Sequence, residues 1–145
     1  MDKARVLFLC THNSARSQMA EALLRHDAGD QFEVYSAGLE PSEINPLTYK
    51  VMEELGIDMQ GQYAKPLTTY MGKVHFGYLI TVCSKAEERC PIFPGMGVRL
   101  HWPFDDPAAF DGSEEQKLEE FRRVRDQIHT RIQAWIAEQN KAELA

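Results

Sequence analysis

The stretch Arg5-Val6-Leu7-Phe8-Leu9-Cys10-Thr11-His12-Asn13-Ser14-Ala15-Arg16-Ser17 decides the fold. Its first six residues form an almost unbroken apolar run, the mark of a strand buried on both faces. From Ser17 onward the pattern turns helical, with Met19, Ala20, Leu23 and Leu24 on one face. Between strand and helix, Cys10 and Arg16 stand six positions apart. A loop in that setting can curl its backbone N–H groups round a tetrahedral oxyanion, and the helix N-terminus adds positive potential. Arg16 can grip two oxygens with its planar fork. The same field is expected to lower the pKa of Cys10 and make it a nucleophile at neutral pH. The substrate-binding candidates are therefore Thr11, His12, Asn13, Ser14, Ala15, Arg16 and Ser17. Ser17 can donate a hydrogen bond to the thiolate, and Asn13 can hold the loop from within. The loop lacks glycine, so a residue at positive φ is expected to be Asn13.

Outward from this loop, Phe32–Tyr35 reads as a short strand ending near Ser36-Ala37-Gly38. Asn45-Pro46 opens a helix carrying Leu47, Val51, Met52 and Leu55, with Gly56 as its C′ residue. Phe76–Val82 is a third strand delivering Cys83, and Arg99–Trp102 a fourth. Glu114–Glu138 is a long amphipathic helix with Leu118, Phe121, Val124, Ile128, Ile132, Trp135 and Ile136 as its core stripe. Strands alternating with helices predict an α/β domain with a parallel sheet, spanning residues 1–145 as one unit. In such sheets ligands bind outside the carboxyl ends of the strands, where Cys10, Cys83 and the Asp105-Asp106-Pro107 segment gather.

The 145 residues carry 43% hydrophobic and 26% charged side chains, ordinary for a globular chain. A net charge of −6 disfavours nucleic acid as a partner but leaves room for a small anion at one electropositive loop. No apolar run is long enough for a membrane span and the N-terminus lacks a signal-peptide pattern, so a cytoplasmic protein is expected. The three cysteines, Cys10, Cys83 and Cys90, form a poor disulfide framework and a poor metal set, and invite a redox or nucleophile reading. No metal is expected.

The segment CTHNSARSQMAE (10–21) resembles the signature of the low-molecular-weight tyrosine phosphatase superfamily, and more closely that of its arsenate reductase branch. The likeness extends through VYSAG (34–38), INP (44–46), Cys83-x6-Cys90-Pro91, HWPFDDPA (101–108) and FRRVRDQI (121–128). It implies a three-layer fold, a four-stranded parallel sheet of order 2-1-3-4 flanked by helices. It also implies Cys10 as nucleophile, Arg16 as clamp and Asp106 as general acid, with Asp105 as runner-up. A phosphatase needs only Cys10, through a phosphocysteine that water hydrolyses. Reducing arsenate takes two electrons, and the resemblance implies a relay. Cys10 attacks arsenate, Cys83 attacks Cys10 and expels arsenite, and Cys90 then attacks Cys83. Thioredoxin would reduce the Cys83–Cys90 disulfide, in the service of arsenic detoxification, with no cofactor and a monomeric enzyme. Phosphate would bind as an analogue of arsenate. The alternatives are a phosphatase acting on phosphate monoesters and a non-enzymatic oxyanion sensor.

If residues 83–90 are helical, the two Cα atoms lie roughly 10 Å apart, beyond the about 7 Å that a disulfide spans. The segment would then unwind during turnover. Pro91 can mark the helix end. Three departures from the family pattern stand out. Ala15 occupies a position that is Cys in some members, and His12 replaces a common Gly, adding charge or capping the loop. Lys65 stands where an acidic residue would complete a monovalent cation site with Asn13, Glu21 and Ser36; its ammonium can take the ion's place.

Overall fold

The computed structural model describes residues 3–90 and 96–144. Strand β1 (Ala4–Cys10) leads through the loop to helix α1 (Arg16–Ala28). Strand β2 (Phe32–Gly38) and helix α2 (Pro46–Glu53) follow. Strand β3 (Phe76–Thr81) precedes the short helix α3 (Ser84–Arg89), and strand β4 (Met96–His101) precedes the long helix α4 (Glu114–Leu144). The sheet is parallel throughout, in the order β2-β1-β3-β4. Pro91 and the other residues of 91–95 lie outside the described residues.

Position in the sheet explains the apolar runs. Central β1 is buried from Val6 to Cys10, and Leu79 and Ile80 of β3 are equally inaccessible. Each such side chain contributes about 1.5–3 kcal/mol on leaving water, so the strand anchors whatever loop follows it. Helix α1 is sealed more completely than its apolar stripe predicts: Ser17, Gln18 and Glu21 are buried beside Met19, Ala20, Leu23 and Leu24. It packs on β1, β2 and α4. The α4 stripe is core from Phe121 to Trp135, with Leu118 and Ile136 half-buried at its margins.

Strand β2 ends where expected, at Gly38, with Ser36 and Ala37 pairing with Phe8 and Leu9. Other element ends differ from the sequence reading. Strand β4 starts at Met96, since Met96 pairs with Phe76. Helix α4 runs to Leu144, since residues 139–144 contain neither glycine nor proline to end it. Gly56 does terminate α2: at φ 73° it lets Ile57 N–H reach Met52 C=O (3.1 Å) while its own N–H reaches Glu53 C=O (2.8 Å), the Schellman pattern. Leu55 falls outside the buried stripe and is exposed. Among the described residues no helix is long and apolar enough to cross a membrane.

Sheet register sets the stage for the chemistry. Cys10 pairs with Gly38, Leu9 with Thr81, and Thr81 with His101. The carboxyl ends of all four strands thus form one rim.

Candidate active site

Residues 10–16 form a cradle whose carbonyls are tied outward. Cys10, Thr11, His12 and Ser14 accept hydrogen bonds from the N–H groups of Leu39, Glu40, Ser42 and Asn45, at 3.2, 2.8, 3.0 and 3.0 Å. Because a peptide is planar and trans, a carbonyl turned outward aims the following N–H the other way, into the loop. Thr48 adds a second bond to Ser14 C=O, at 3.0 Å. At the end of the loop Ala15 caps α1 without a side-chain bond, and the first turn of α1 holds no acidic residue. The helix therefore presents open N–H donors and uncompensated positive potential to the cradle.

Asn13 sits at φ 54°. The left-handed region costs roughly 1–2 kcal/mol for a residue with a Cβ. A dense set of bonds repays it: the Asn13 amide donates to Ser17 Oγ (2.8 Å) and Ser36 Oγ (3.0 Å), its Oδ1 accepts from Lys65 N (3.1 Å), and its carbonyl accepts from Gln18 Nε2 (3.0 Å). Ser17 is thus an acceptor for Asn13. Gly38 lies against the loop, where a Cβ would stand 2.9 Å from Thr11 O and 3.0 Å from Asn13 N.

Beneath the loop, Glu21 and Lys65 form a buried pair. Glu21 accepts from Ser36 Oγ at 2.5 Å and from Arg25 at 2.6 Å. The Lys65 ammonium is 3.8 Å from Glu21 and donates to Tyr63 C=O at 2.8 Å. Burial holds the Lys65 pKa below its ordinary value, with Glu21 pulling it back up. The tethered ammonium thus stands beside the Glu21 oxygen that Ser36 also bonds. His12, exposed, bonds Glu40 C=O through Nδ1 at 3.0 Å, and so serves the anchoring of the loop.

A cavity of about 400 Å³ opens over the loop, lined by Thr11, His12, Arg16, Cys83, Ser84, Lys85, Phe104, Asp105 and Asp106. Arg16 donates to Phe104 C=O at 2.9 Å and its other terminal nitrogen is 3.7 Å from Asp106. Asp106 caps the short turn Pro107–Ala109 by accepting from Ala108 N at 3.0 Å. Asp105 has a 78% exposed side chain and pairs with Arg123 at 3.1 Å. Of the two acids, Asp106 is the one in contact with Arg16.

All three cysteines are buried thiols. Cys83 caps α3, its sulfur accepting from Ala86 N at 3.4 Å, and stands 3.3 Å from Thr11 Oγ1. The hydrogen bond between the two thiols and burial push the Cys10 pKa up, against the pull of Arg16. Cys83 is held down to about 5 by that same bond, by Thr11, by the Ala86 N–H and by Arg16. The two sulfurs share one proton and titrate as a pair. The sequence reading assigned the positive field to Cys10 alone, whereas the fold brings a second thiol into it. Cys90 lies at the far end of α3, where burial raises its pKa and Arg99 opposes the rise.

The structure thus gathers Thr11, His12, Arg16, Cys83 and Asp106 at one cavity, with Cys10, Asn13, Ala15 and Ser17 buried in the loop and helix start behind it and Cys90 one helix away. Gln18, Gly38, Thr48, Lys85 and the Phe104 carbonyl were not among the sequence candidates. Only the approach of distant segments gives them a place, and no spacing in the sequence signals it.

Comparison with known proteins agrees with this arrangement. Residues 5–144 match the family of low molecular weight phosphotyrosine protein phosphatases. An arsenate reductase of Bacillus licheniformis is 45% identical over 133 residues, covering 91% of this chain and 94% of that protein. A solved arsenate reductase in its phosphate-binding state superposes with a TM-score of 0.79 at 32% identity, over 93% of this chain and 98% of the other. A thioredoxin-dependent arsenate reductase of Corynebacterium glutamicum matches with a TM-score of 0.61 at 33% identity, over 91% of this chain and 63% of that one. The chain belongs to the low molecular weight phosphotyrosine protein phosphatase family, within its arsenate reductase branch.

Proposed function

We propose that this chain reduces arsenate to arsenite through Cys10, Cys83 and Cys90 and is regenerated by thioredoxin. One observation carries the reading: a second thiol, Cys83, lines the cavity over the oxyanion loop and stands 3.3 Å from Thr11 Oγ1 of that loop. Hydrolysis of a phosphate ester has no use for such a thiol; a two-electron reduction requires it. The names of the relatives support the same choice, and the Corynebacterium glutamicum protein supports thioredoxin as reductant.

Arsenate docks on the loop N–H groups and Arg16. The proton on Cys10 passes to Cys83, and the Cys10 thiolate bonds to arsenic while an oxygen leaves as water, protonated by Asp106. Cys83 then loses its proton and attacks Cys10 sulfur. The S–As bond breaks with its electron pair on arsenic, As(V) becomes As(III), and a Cys10–Cys83 disulfide remains. Cys90 attacks Cys83, restoring Cys10 and leaving Cys83–Cys90, which a dithiol reduces with two electrons. Overall, one arsenic acid and two thiols yield one arsenous acid, one disulfide and one water. The reading carries a cytoplasmic location, where thiols stay reduced, and action as a monomer.

A second activity has its own support. Cys10, Arg16 and Asp106 form a complete phosphatase set without the other thiols, so slow hydrolysis of small aryl phosphates through a phosphocysteine is expected. The deciding experiment counts thiols before and after one equivalent of arsenate, with no reductant present. Loss of two thiols per chain supports the reductase. An unchanged count removes it and leaves the phosphatase, or a sensor if no aryl phosphate is cleaved.

A further inference from the structure

Helix α3 joins the two cysteines that must become a disulfide, and it is held shut by a polar cluster at the ends of β3 and β4. Arg99 donates to Glu87 C=O at 2.6 Å and to Cys90 C=O at 3.5 Å. It thereby closes the C-terminal carbonyls of the helix with a cation, where the helix dipole favours one. The Arg99 Nε lies 3.5 Å from the Glu87 carboxylate and, although buried, makes no hydrogen bond among the described residues. The same carboxylate accepts from Thr81 Oγ1 at 2.6 Å and is 3.8 Å from His101 Nδ1. Glu87 stands midway between Cys83 and Cys90, so its side chain pins the middle of the helix to the sheet rim.

The folded helix and the disulfide exclude each other. Residues Ser84–Arg89 are helical and Cys90 N–H still bonds Ala86 C=O at 2.9 Å. A helical 83–90 segment keeps the Cα atoms roughly 10 Å apart, and a disulfide needs less than about 7 Å. Closing the bond must therefore unwind α3 and move the Glu87 and Cys90 carbonyls away from Arg99. A contact made by the dithiol and lost in the disulfide stabilises the dithiol alone.

We infer that Arg99, with Glu87 and Thr81, is a redox-poising clamp: it stabilises the reduced Cys83/Cys90 pair and so makes the disulfide a better electron acceptor for its dithiol reductant. The inference rests on the reading of Cys83 and Cys90 as the redox pair. Arg99 and Glu87 are positioning residues, since neither lines the oxyanion cavity. No new chemical step is involved; the couple remains disulfide plus two electrons and two protons to two thiols, with dithiothreitol as dithiol in the test.

The wild-type chain, Arg99→Met and Glu87→Gln are equilibrated in mixtures of reduced and oxidised dithiothreitol, quenched by alkylation and mapped for the Cys83–Cys90 peptide pair. Arg99→Met is expected to shift the equilibrium about tenfold toward the disulfide, a potential lower by about 30 mV for a two-electron couple. Glu87→Gln is expected to shift it in the same direction by about threefold, the scale of one partly exposed ion pair. Aryl phosphate hydrolysis should stay within about twofold in both, which a general loosening of the fold would not allow. Equal disulfide fractions in the wild type and a folded variant overturn the clamp and leave the relay standing. Absence of any Cys83–Cys90 disulfide in the wild type overturns the relay reading, and the clamp with it. Should Arg99→Met not fold, Glu87→Gln alone decides.

Discussion

The Thr11 hydroxyl lies 3.3 Å from the Cys83 sulfur, joining the oxyanion loop to the redox helix across 72 residues of sequence. With Cys10 as the other partner, this bridge holds the Cys83 pKa down to about 5. Alkylation of the ligand-free protein by iodoacetamide should rise with pH through a midpoint near 5. Thr11→Val should move that midpoint up by about one unit, since one hydrogen bond to a charged group is worth about 1.5 kcal/mol. The sign for stability follows from proton counts. Between about 5 and the ordinary thiol value of 9.0, the folded pair holds one proton and the unfolded thiols hold two, so stability rises with pH. It is lost as pH falls through about 5. Above 9.0 the raised Cys10 pKa reverses the slope. Urea midpoints of wild type and Cys83→Ser across this range check it; the serine variant should lose the pair's part of the rise.

Asp106, in contact with Arg16 at 3.7 Å, is expected to be the acid. Asp106→Asn should lower kcat on phenyl phosphate by about 10²–10³, the usual loss of a positioned general acid. Asp105→Asn breaks only an exposed pair with Arg123 and should cost less than about threefold. Equal losses would return the assignment to an open choice.

The Lys65 ammonium lies beside Glu21 beneath the loop. Arsenate reduction by the wild type should therefore be flat in potassium concentration at constant ionic strength. Lys65→Met should destabilise by about 2 kcal/mol, less than the 3–5 typical of a broken buried pair, because Arg25 still neutralises Glu21. Thermal or urea unfolding measures the loss, and a potassium-activated wild type would contradict the ammonium's role.

Gly38→Ala places a Cβ 2.9 Å from Thr11 O and 3.0 Å from Asn13 N. Both are backbone atoms of the cradle and cannot swing aside as a side chain would. Phosphate affinity, read by calorimetry on the reduced protein, should fall at least about tenfold, with a stability loss of about 1–3 kcal/mol from overpacking.

Cys90→Ser separates the relay from the first chemical step. Multiple turnover with thioredoxin should collapse, while aryl phosphate hydrolysis survives, because Cys90 is outside the cavity lining. A variant that keeps full thioredoxin-coupled turnover would show that Cys90 is dispensable.

The sequence by itself determined the strand–loop–helix unit, the positive φ at Asn13 and the stop at Gly56. These are local matters: apolar periodicity, the conformational tolerance of asparagine and the freedom of glycine act within a few residues. Only the tertiary structure decided the rest. Parallel register brings Thr81 level with Leu9 and His101, and so places Cys83 against Cys10 and builds the Glu87–Arg99 cluster beneath α3. The loop's outward bonds come from residues 39–45, on the far side of β2. The ionisation of Cys10 was likewise beyond local reading. Charge and burial act through space, and a thiol 73 positions away shares the field that the loop alone would have given to one.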